Sequence, residues 1–184
     1  MLLFRLTLVT LVLLLAAVLP LATAAPDCTW AAWDQTYDFS PLSLKDLRGF
    51  DGGGLFTYFL RPCGTLQSVP RCVFGSVNAS ACRVDNEGTG SRALGFFPPY
   101  GKPLKWGYIS DTQPELGVYY EMEGQGGCAG TVPFLGNVVF NCVSSSDPPK
   151  PMNVQQFGCG FNFNLYTPLA CLNSTTRKVT VATE

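Results

Sequence analysis

From Cys159 the chain reads Cys-Gly-Phe-Asn-Phe-Asn-Leu, which puts Cys159, Phe161, Phe163 and Leu165 on one side of an extended segment and Asn162 and Asn164 on the other. The first face belongs in a core, and the second points into solvent or a shallow groove. Other short runs rich in Val, Phe, Tyr and Leu predict strands at Leu55 to Leu60, Cys72 to Val77, Lys105 to Ile109, Val118 to Met122, Asn137 to Cys142 and Gly158 to Leu165. The Val-Val-Phe of Asn137 to Cys142 is too apolar for a strand with one wet face. Turns are expected at Asp51 to Gly54, Pro98 to Pro103 and Ser144 to Pro151, where Gly, Pro, Asn and Ser gather. No long 3.6-residue periodicity and no internal repeat is present. The pattern is that of an all-β chain, a sandwich or flattened barrel.

The one long apolar run, Leu6 to Leu19, is of another kind. Arg5 precedes it, Pro20 ends it, and Ala22-Thr-Ala-Ala25 offers small residues for cleavage. It is shorter than the ~20 residues of a spanning helix, so residues 1–25 read as an export signal. After its removal no transmembrane anchor is expected. The 159 residues from Pro26 suit one domain, assigned to 26–173, with a polar tail at 174–184.

Export changes the meaning of the cysteines. All eight (28, 63, 72, 82, 128, 142, 159, 171) lie beyond the signal, and an even number in an exported chain predicts a disulfide framework. Spacing alone leaves 105 pairings open. Zinc is a poor alternative, with no Cys-x-x-Cys pair and no histidine. Two sequons, Asn78-Ala-Ser80 and Asn173-Ser-Thr175, are expected glycosylation sites in an oxidising lumen.

Charge narrows the partners. The net charge is −1, or −2 once Arg5 leaves, and no basic cluster exists, which argues against nucleic acid and anionic membrane as partners. The absence of histidine removes Ser-His-Asp and Cys-His catalysis and the usual metal sites. Glu121 and Glu123 share one strand face and are the remaining carboxylate pair, better read as a solvated face than as a glycosidase pair, which is normally set across a cleft. The runs Asp51-Gly-Gly-Gly, Glu87-Gly-Thr-Gly and Glu123-Gly-Gln-Gly-Gly lack a P-loop lysine and the setting of a dinucleotide fingerprint, so they are turns. No cofactor and no enzyme activity is expected. Trp30, Trp33 and Trp106 are either core or platforms for a sugar ring.

The residues around the cysteines carry a resemblance. They are Tyr37-Asp-Phe-Ser-Pro-Leu, Tyr58-Phe-Leu-Arg-Pro-Cys63-Gly, Ser80-Ala-Cys82 with Ala93-Leu-Gly95, Val118-Tyr-Tyr-Glu-Met-Glu-Gly-Gln-Gly-Gly-Cys128, Val138-Val-Phe-Asn-Cys142, Cys159-Gly-Phe-Asn-Phe and Thr167-Pro-Leu-Ala-Cys171. Together they resemble the mannose 6-phosphate receptor homology (MRH) domain, in particular a repeat of the cation-independent receptor. The resemblance implies a flattened β-barrel of two packed antiparallel sheets and the pairs Cys28–Cys63, Cys72–Cys82, Cys128–Cys159 and Cys142–Cys171.

Sugar-binding members of that family use a glutamine, an arginine, a glutamate and a tyrosine. Here the glutamine position is Arg83, the arginine position falls near Leu135, the approach to Cys159 holds no acidic residue, and the tyrosine position is Phe161. A mannose hydroxyl desolvated against apolar groups is left uncompensated. The expectation is therefore a non-catalytic binding module for a protein or glycoprotein, with the mannose site lost. The alternatives are carbohydrate binding at a relocated site of Trp106, Tyr108, Tyr119, Tyr120 and Glu121, or an accessory subunit presenting glycoproteins to a processing enzyme. Residence in the secretory lumen, the Golgi, the endolysosomal system or outside the cell all fit; Val181 to Glu184 is no retention tetrapeptide.

Overall fold

The computed structural model describes residues 28–32, 35–87, 90–97, 105–147 and 150–172. The export signal, the tail, Trp33, Asn173 and the turn at 98–103 lie outside the described residues.

Thirteen strands occur among the described residues. β1 (Thr29–Ala32) and β2 (Gln35–Asp38) form a hairpin of their own, and β5 (Val73–Phe74) with β6 (Val77–Asn78) forms a second. The remaining nine are β3 (Leu47–Phe50), β4 (Phe56–Leu60), β7 (Ala81–Asp85), β8 (Ser91–Gly95), β9 (Lys105–Tyr108), β10 (Gly117–Ala129), β11 (Val132–Cys142), β12 (Met152–Phe157) and β13 (Gly160–Thr167). They make one sheet in the order β8-β7-β4-β3-β12-β13-β11-β10-β9. Between β3 and β12 only two residue pairs join, Met152 with Gly49 and Asn153 with Phe50. The sheet folds along this seam, and its two halves face each other as a flattened barrel.

The all-β expectation holds, with one difference of detail. β11 pairs with β13 in parallel, Leu135 opposite Gly160 through Cys142 opposite Thr167, and the seam is parallel as well. The closed side depends on small residues. β8 crosses β10 and β11 so tightly that a Cβ on Gly124 would sit 2.7 Å from the Ala93 carbonyl oxygen, and one on Gly136 2.8 Å from that of Leu94. Any side chain there would push the two layers apart.

Alternation decides what lies between them. β10 turns Val118, Tyr120 and Met122 inward, β11 Phe134, Val138 and Phe140, and β13 Phe161, Phe163 and Leu165, all buried. The β1–β2 hairpin caps this core with aromatic rings. Trp30 stacks on Trp106 with centroids 6.0 Å apart, and Phe39 stacks on Phe140 at 4.0 Å. Tyr120, fully buried beneath them, accepts a hydrogen bond from the Cys63 N–H at 3.1 Å. The expected strand at Cys72 to Val77 is instead a helical turn at Pro70–Cys72 and the β5–β6 hairpin, because Gly75 turns the chain with φ +66°. This flap covers the outer side of β4, β7 and β8, enclosing a second, smaller core of Leu66, Cys72, Ala79, Cys82, Val84 and Ala93.

The bonded cysteines are Cys28–Cys63, Cys72–Cys82, Cys128–Cys159 and Cys142–Cys171, the four pairs that the resemblance implies.

Asp46 holds the start of the flap. Its carboxylate accepts from the Ser68 hydroxyl at 2.6 Å and the Ser68 and Gln67 amides at 2.7 and 3.0 Å, and pairs with Arg61 at 3.1 Å. Desolvation pushes this carboxyl up, but the donors from Ser68 and Gln67 and the charge of Arg61 outweigh it and hold it below the ordinary carboxylate range. A depressed folded-state value stabilises the fold above the unfolded value of ~3.9 and is lost as pH falls through the folded value. Urea unfolding from pH 7 to pH 2 is therefore expected to show an acid limb that Asp46→Ala flattens, with a loss of about 1–2 kcal/mol at pH 7. An unchanged acid limb in the variant would remove Asp46 from this role.

Candidate functional site

The sequence-derived positions divide between two surfaces. The first is the barrel end where the β3–β4, β7–β8, β10–β11 and β12–β13 connections meet. Arg83 leaves β7 on its inner side, opposite Tyr58 on β4. Its guanidinium lies 4.3 Å over the ring of Phe56 and 5.9 Å over that of Phe161, at contact distances for cation–π attraction. Burial, helped by Asp51, raises the Tyr58 phenol against the opposing charge and hydrogen bond of Arg83. A shallow cavity of about 330 Å³ opens here between Phe56, Arg83, Asp85, Gly90, Ser91 and Arg92.

Of the positions at which the family's sugar ligands were sought, the structure brings Arg83 and Phe161 together and does not bring Leu135 with them. Leu135 is 47% exposed, because the β11 alternation that buries Phe134 turns it outward. Phe134 is the residue that faces Phe161, at 5.8 Å between centroids. At this end the Arg83 guanidinium thus lies over Phe56 and the buried Phe161, with Asp85, Ser91 and Arg92 lining the cavity beside it. An arginine donates only, and phenylalanine rings neither donate nor accept conventional hydrogen bonds.

Apolar side chains also ring this end. Of the ten most exposed large apolar residues among those described, Phe50, Leu55, Val132, Leu135 and Phe157 sit on or beside its connections. That concentration distinguishes the end from scattered exposed leucines, which need no explanation. The ring of Phe157 lies over Gly160, where a Cβ would come within 2.5 Å of it, and Gly160 is opposite Leu135 in the sheet. Sequence reasoning missed Phe50, Phe134 and Phe157. A signal existed for two of them: Phe50 precedes Asp51-Gly-Gly-Gly and Phe157 precedes Gly158, aromatics at turns where no core is expected.

The second surface is the outer face of β10, β11 and β13. Here the five residues of the relocated-site expectation part company. Trp106, Tyr108 and Tyr120 face the core, Tyr120 with no exposure and Trp106 at 4.8 Å from its ring. Burial raises the Tyr120 phenol, opposed by the Cys63 amide. Tyr119 and Glu121 face outward, with Glu121 paired to Lys105 at 3.4 Å. Glu123 shares that outward face, so the two glutamates lie on an open sheet surface. Tyr119 and Glu121 line a groove of about 340 Å³ with Asn137, Asn141, Asn162 and Asn164. The Asn137 amide donates to Asn162 Oδ1 at 3.0 Å, and that of Asn141 to the Leu165 carbonyl at 3.1 Å.

Of the two sequons, Asn78 lies on β6 in the flap; its amide donates to the Leu66 carbonyl at 2.9 Å.

Neither the known family models nor the curated proteins yield a match to this sequence. Solved structures do. Chicken IGF2R domain 11 superposes with a TM-score of 0.56 at 19% identity, covering 82% of this chain and 95% of that one. Domain 11 of the echidna mannose 6-phosphate/IGF2R receptor gives 0.52 at 19% identity, covering 81% and 97%. At such identity the likeness is one of architecture: this chain has the fold of these receptor domains.

Proposed function

We propose that the chain is a non-catalytic binding module that engages a protein partner through the aromatic end of its barrel, the mannose site of the fold having been lost. Its four bridges suit an oxidising compartment, in the secretory pathway or outside the cell. The observation that carries the reading is the rim of exposed Phe50, Leu55, Val132, Leu135 and Phe157 around an end where Arg83 lies over the buried Phe161. A hexose needs donors and acceptors matched to its hydroxyls, and the position where the family carries a tyrosine is here Phe161, a ring closed into the core that offers neither. Protein interfaces, by contrast, are rich in aromatic residues and arginine and poor in other charges. The receptor-domain structures that share this fold are consistent with a binding role.

The test is affinity isolation of the tagged mature protein from its own cells under native conditions, beside the double variant Leu135→Glu/Phe157→Glu. Both side chains are about half exposed, so the fold is expected to survive. A partner retained by the native chain should be weakened at least tenfold by the variant, as when hot-spot residues are lost. Specific retention on a mannose or phosphomannan column, released by free sugar, would overturn the proposal.

A second reading is favoured by the outer groove. Four asparagines offer both donors and acceptors beside the Tyr119 ring, the combination that suits a neutral sugar. On a glycan array this reading requires a signal that Asn137→Ala/Asn162→Ala abolishes and Leu135→Glu/Phe157→Glu leaves intact.

A further inference from the structure

The sequon Asn78-Ala79-Ser80 is drawn into the fold at every residue. The Asn78 side chain, half-buried, spends an N–H on the Leu66 carbonyl at 2.9 Å, and its backbone pairs with Val73 across the β5–β6 hairpin. Ala79 and Ser80 have no exposed surface. The Ala79 N–H donates to the Cys72 carbonyl at 2.9 Å, and its carbonyl accepts from Leu66 at 2.8 Å. The Ser80 N–H donates to Gly95 and its carbonyl accepts from Arg61, both at 2.9 Å. The Ser80 hydroxyl, which marks the tripeptide as an acceptor, is buried and makes no hydrogen bond. The Cys72–Cys82 bridge closes a span of ten residues around the whole sequon.

Transfer of an N-linked glycan makes a bond from Asn Nδ2 to the anomeric carbon of an oligosaccharide carried on a lipid diphosphate. The anomeric C–O bond breaks, the lipid diphosphate leaves, and Nδ2 gives up one proton. The enzyme must reach Nδ2 and the serine hydroxyl together along an accessible tripeptide. In the folded domain the backbone of that tripeptide is already paired on both sides and the hydroxyl is enclosed. Exposing it means lifting the flap off the small core of Leu66, Cys72, Ala79, Cys82, Val84 and Ala93, against the bridge.

We propose that Asn78 accepts a glycan only while the Cys72–Cys82 hairpin is open, so that closing this bridge ends its modification. The sequon then records whether sugar transfer or oxidation came first on each molecule.

The experiment uses the mature protein made in a host without N-glycosylation and oxidised to its four bridges. It is offered, with lipid-linked oligosaccharide, to purified oligosaccharyltransferase, beside the same chain reduced and alkylated and beside a synthetic peptide spanning 76–84. Occupancy of Asn78 is read by peptide mass spectrometry. The folded protein should be modified at least tenfold more slowly than the reduced chain or the peptide. In cells that glycosylate, Cys72→Ser/Cys82→Ser should raise occupancy of Asn78 above that of the native sequence. Equal rates for folded and reduced protein, or failure of reduced chain and peptide alike, would each overturn the proposal.

Discussion

Replacing the Cys28–Cys63 bridge by Cys28→Ser/Cys63→Ser is expected to lower unfolding free energy by about 3–4 kcal/mol, the loop-closure effect for residues 35 apart. The bridge ties the β1–β2 hairpin to the end of β4, while the hairpin's rings lie on the opposite half of the barrel, Trp30 on Trp106 and Phe39 on Phe140. Without it the hairpin is held by ring stacking and by hydrogen bonds such as that from the Gln35 amide to the Cys171 carbonyl at 3.1 Å. Guanidinium unfolding followed by tryptophan fluorescence and by backbone circular dichroism should then separate, with the fluorescence transition first. Cys63 has φ +52°, a left-handed conformation that costs a non-glycine residue roughly 1–2 kcal/mol. Cys28→Ser/Cys63→Gly is accordingly expected to lose less than the double serine variant by about that amount. A loss under about 1 kcal/mol in both variants would mean that the bridge does not restrict the unfolded chain.

Phe140→Ala should be the most damaging single truncation in the core, at about 3–5 kcal/mol. The ring has no exposed surface, stacks on Phe39 at 4.0 Å and lies within 6.2 Å of Trp106 and 5.8 Å of Tyr120. β11 is paired on both sides, to β10 and β13, so its backbone cannot shift to fill the void. Phe140→Leu keeps most of the volume and should lose less than half as much. Because Phe39 and Phe140 share one contact, Phe39→Ala/Phe140→Ala should cost less than the sum of the single changes. Strict additivity by chemical denaturation would show that the stacked pair is not a unit.

These packing relations also explain which parts of the molecule could be read in advance. β13 was legible because one face is core and the other is water, so Phe161, Phe163 and Leu165 alternate with asparagines. β7 was not: Ala81 faces the main core while Cys82 and Val84 lie under the flap, and burial on both sides erases the alternation. β12 does alternate, with Met152 and Val154 inward, yet its Asn and Gln residues dilute the signal. The split at Gly75 is local turn chemistry that a run of Val and Phe conceals. At the barrel mouth, Pro133-Phe134-Leu135 offers two adjacent apolar residues, and only the register of β11 against β13 tells that Phe134 faces inward. Trp106 and Tyr120 were open to either a core or a sugar-facing role from composition alone. Their inward side follows from pairing β9 with β10, Trp106 opposite Tyr120.

The two-pair seam between β3 and β12 has a consequence for how the molecule is made. On one side of it lie β8, β7, β4 and β3, all within residues 47–95, and on the other β12, β13, β11, β10 and β9, all within 105–167. No bridge crosses from one group to the other: Cys28–Cys63 and Cys72–Cys82 close the early part, and Cys128–Cys159 and Cys142–Cys171 the late part. In an oxidising compartment entered N-terminus first, as the proposed function requires, two correct cross-links would be complete before the third cysteine pair emerged. Mispairing among eight thiols would then reduce to two separate choices among four, made one after the other.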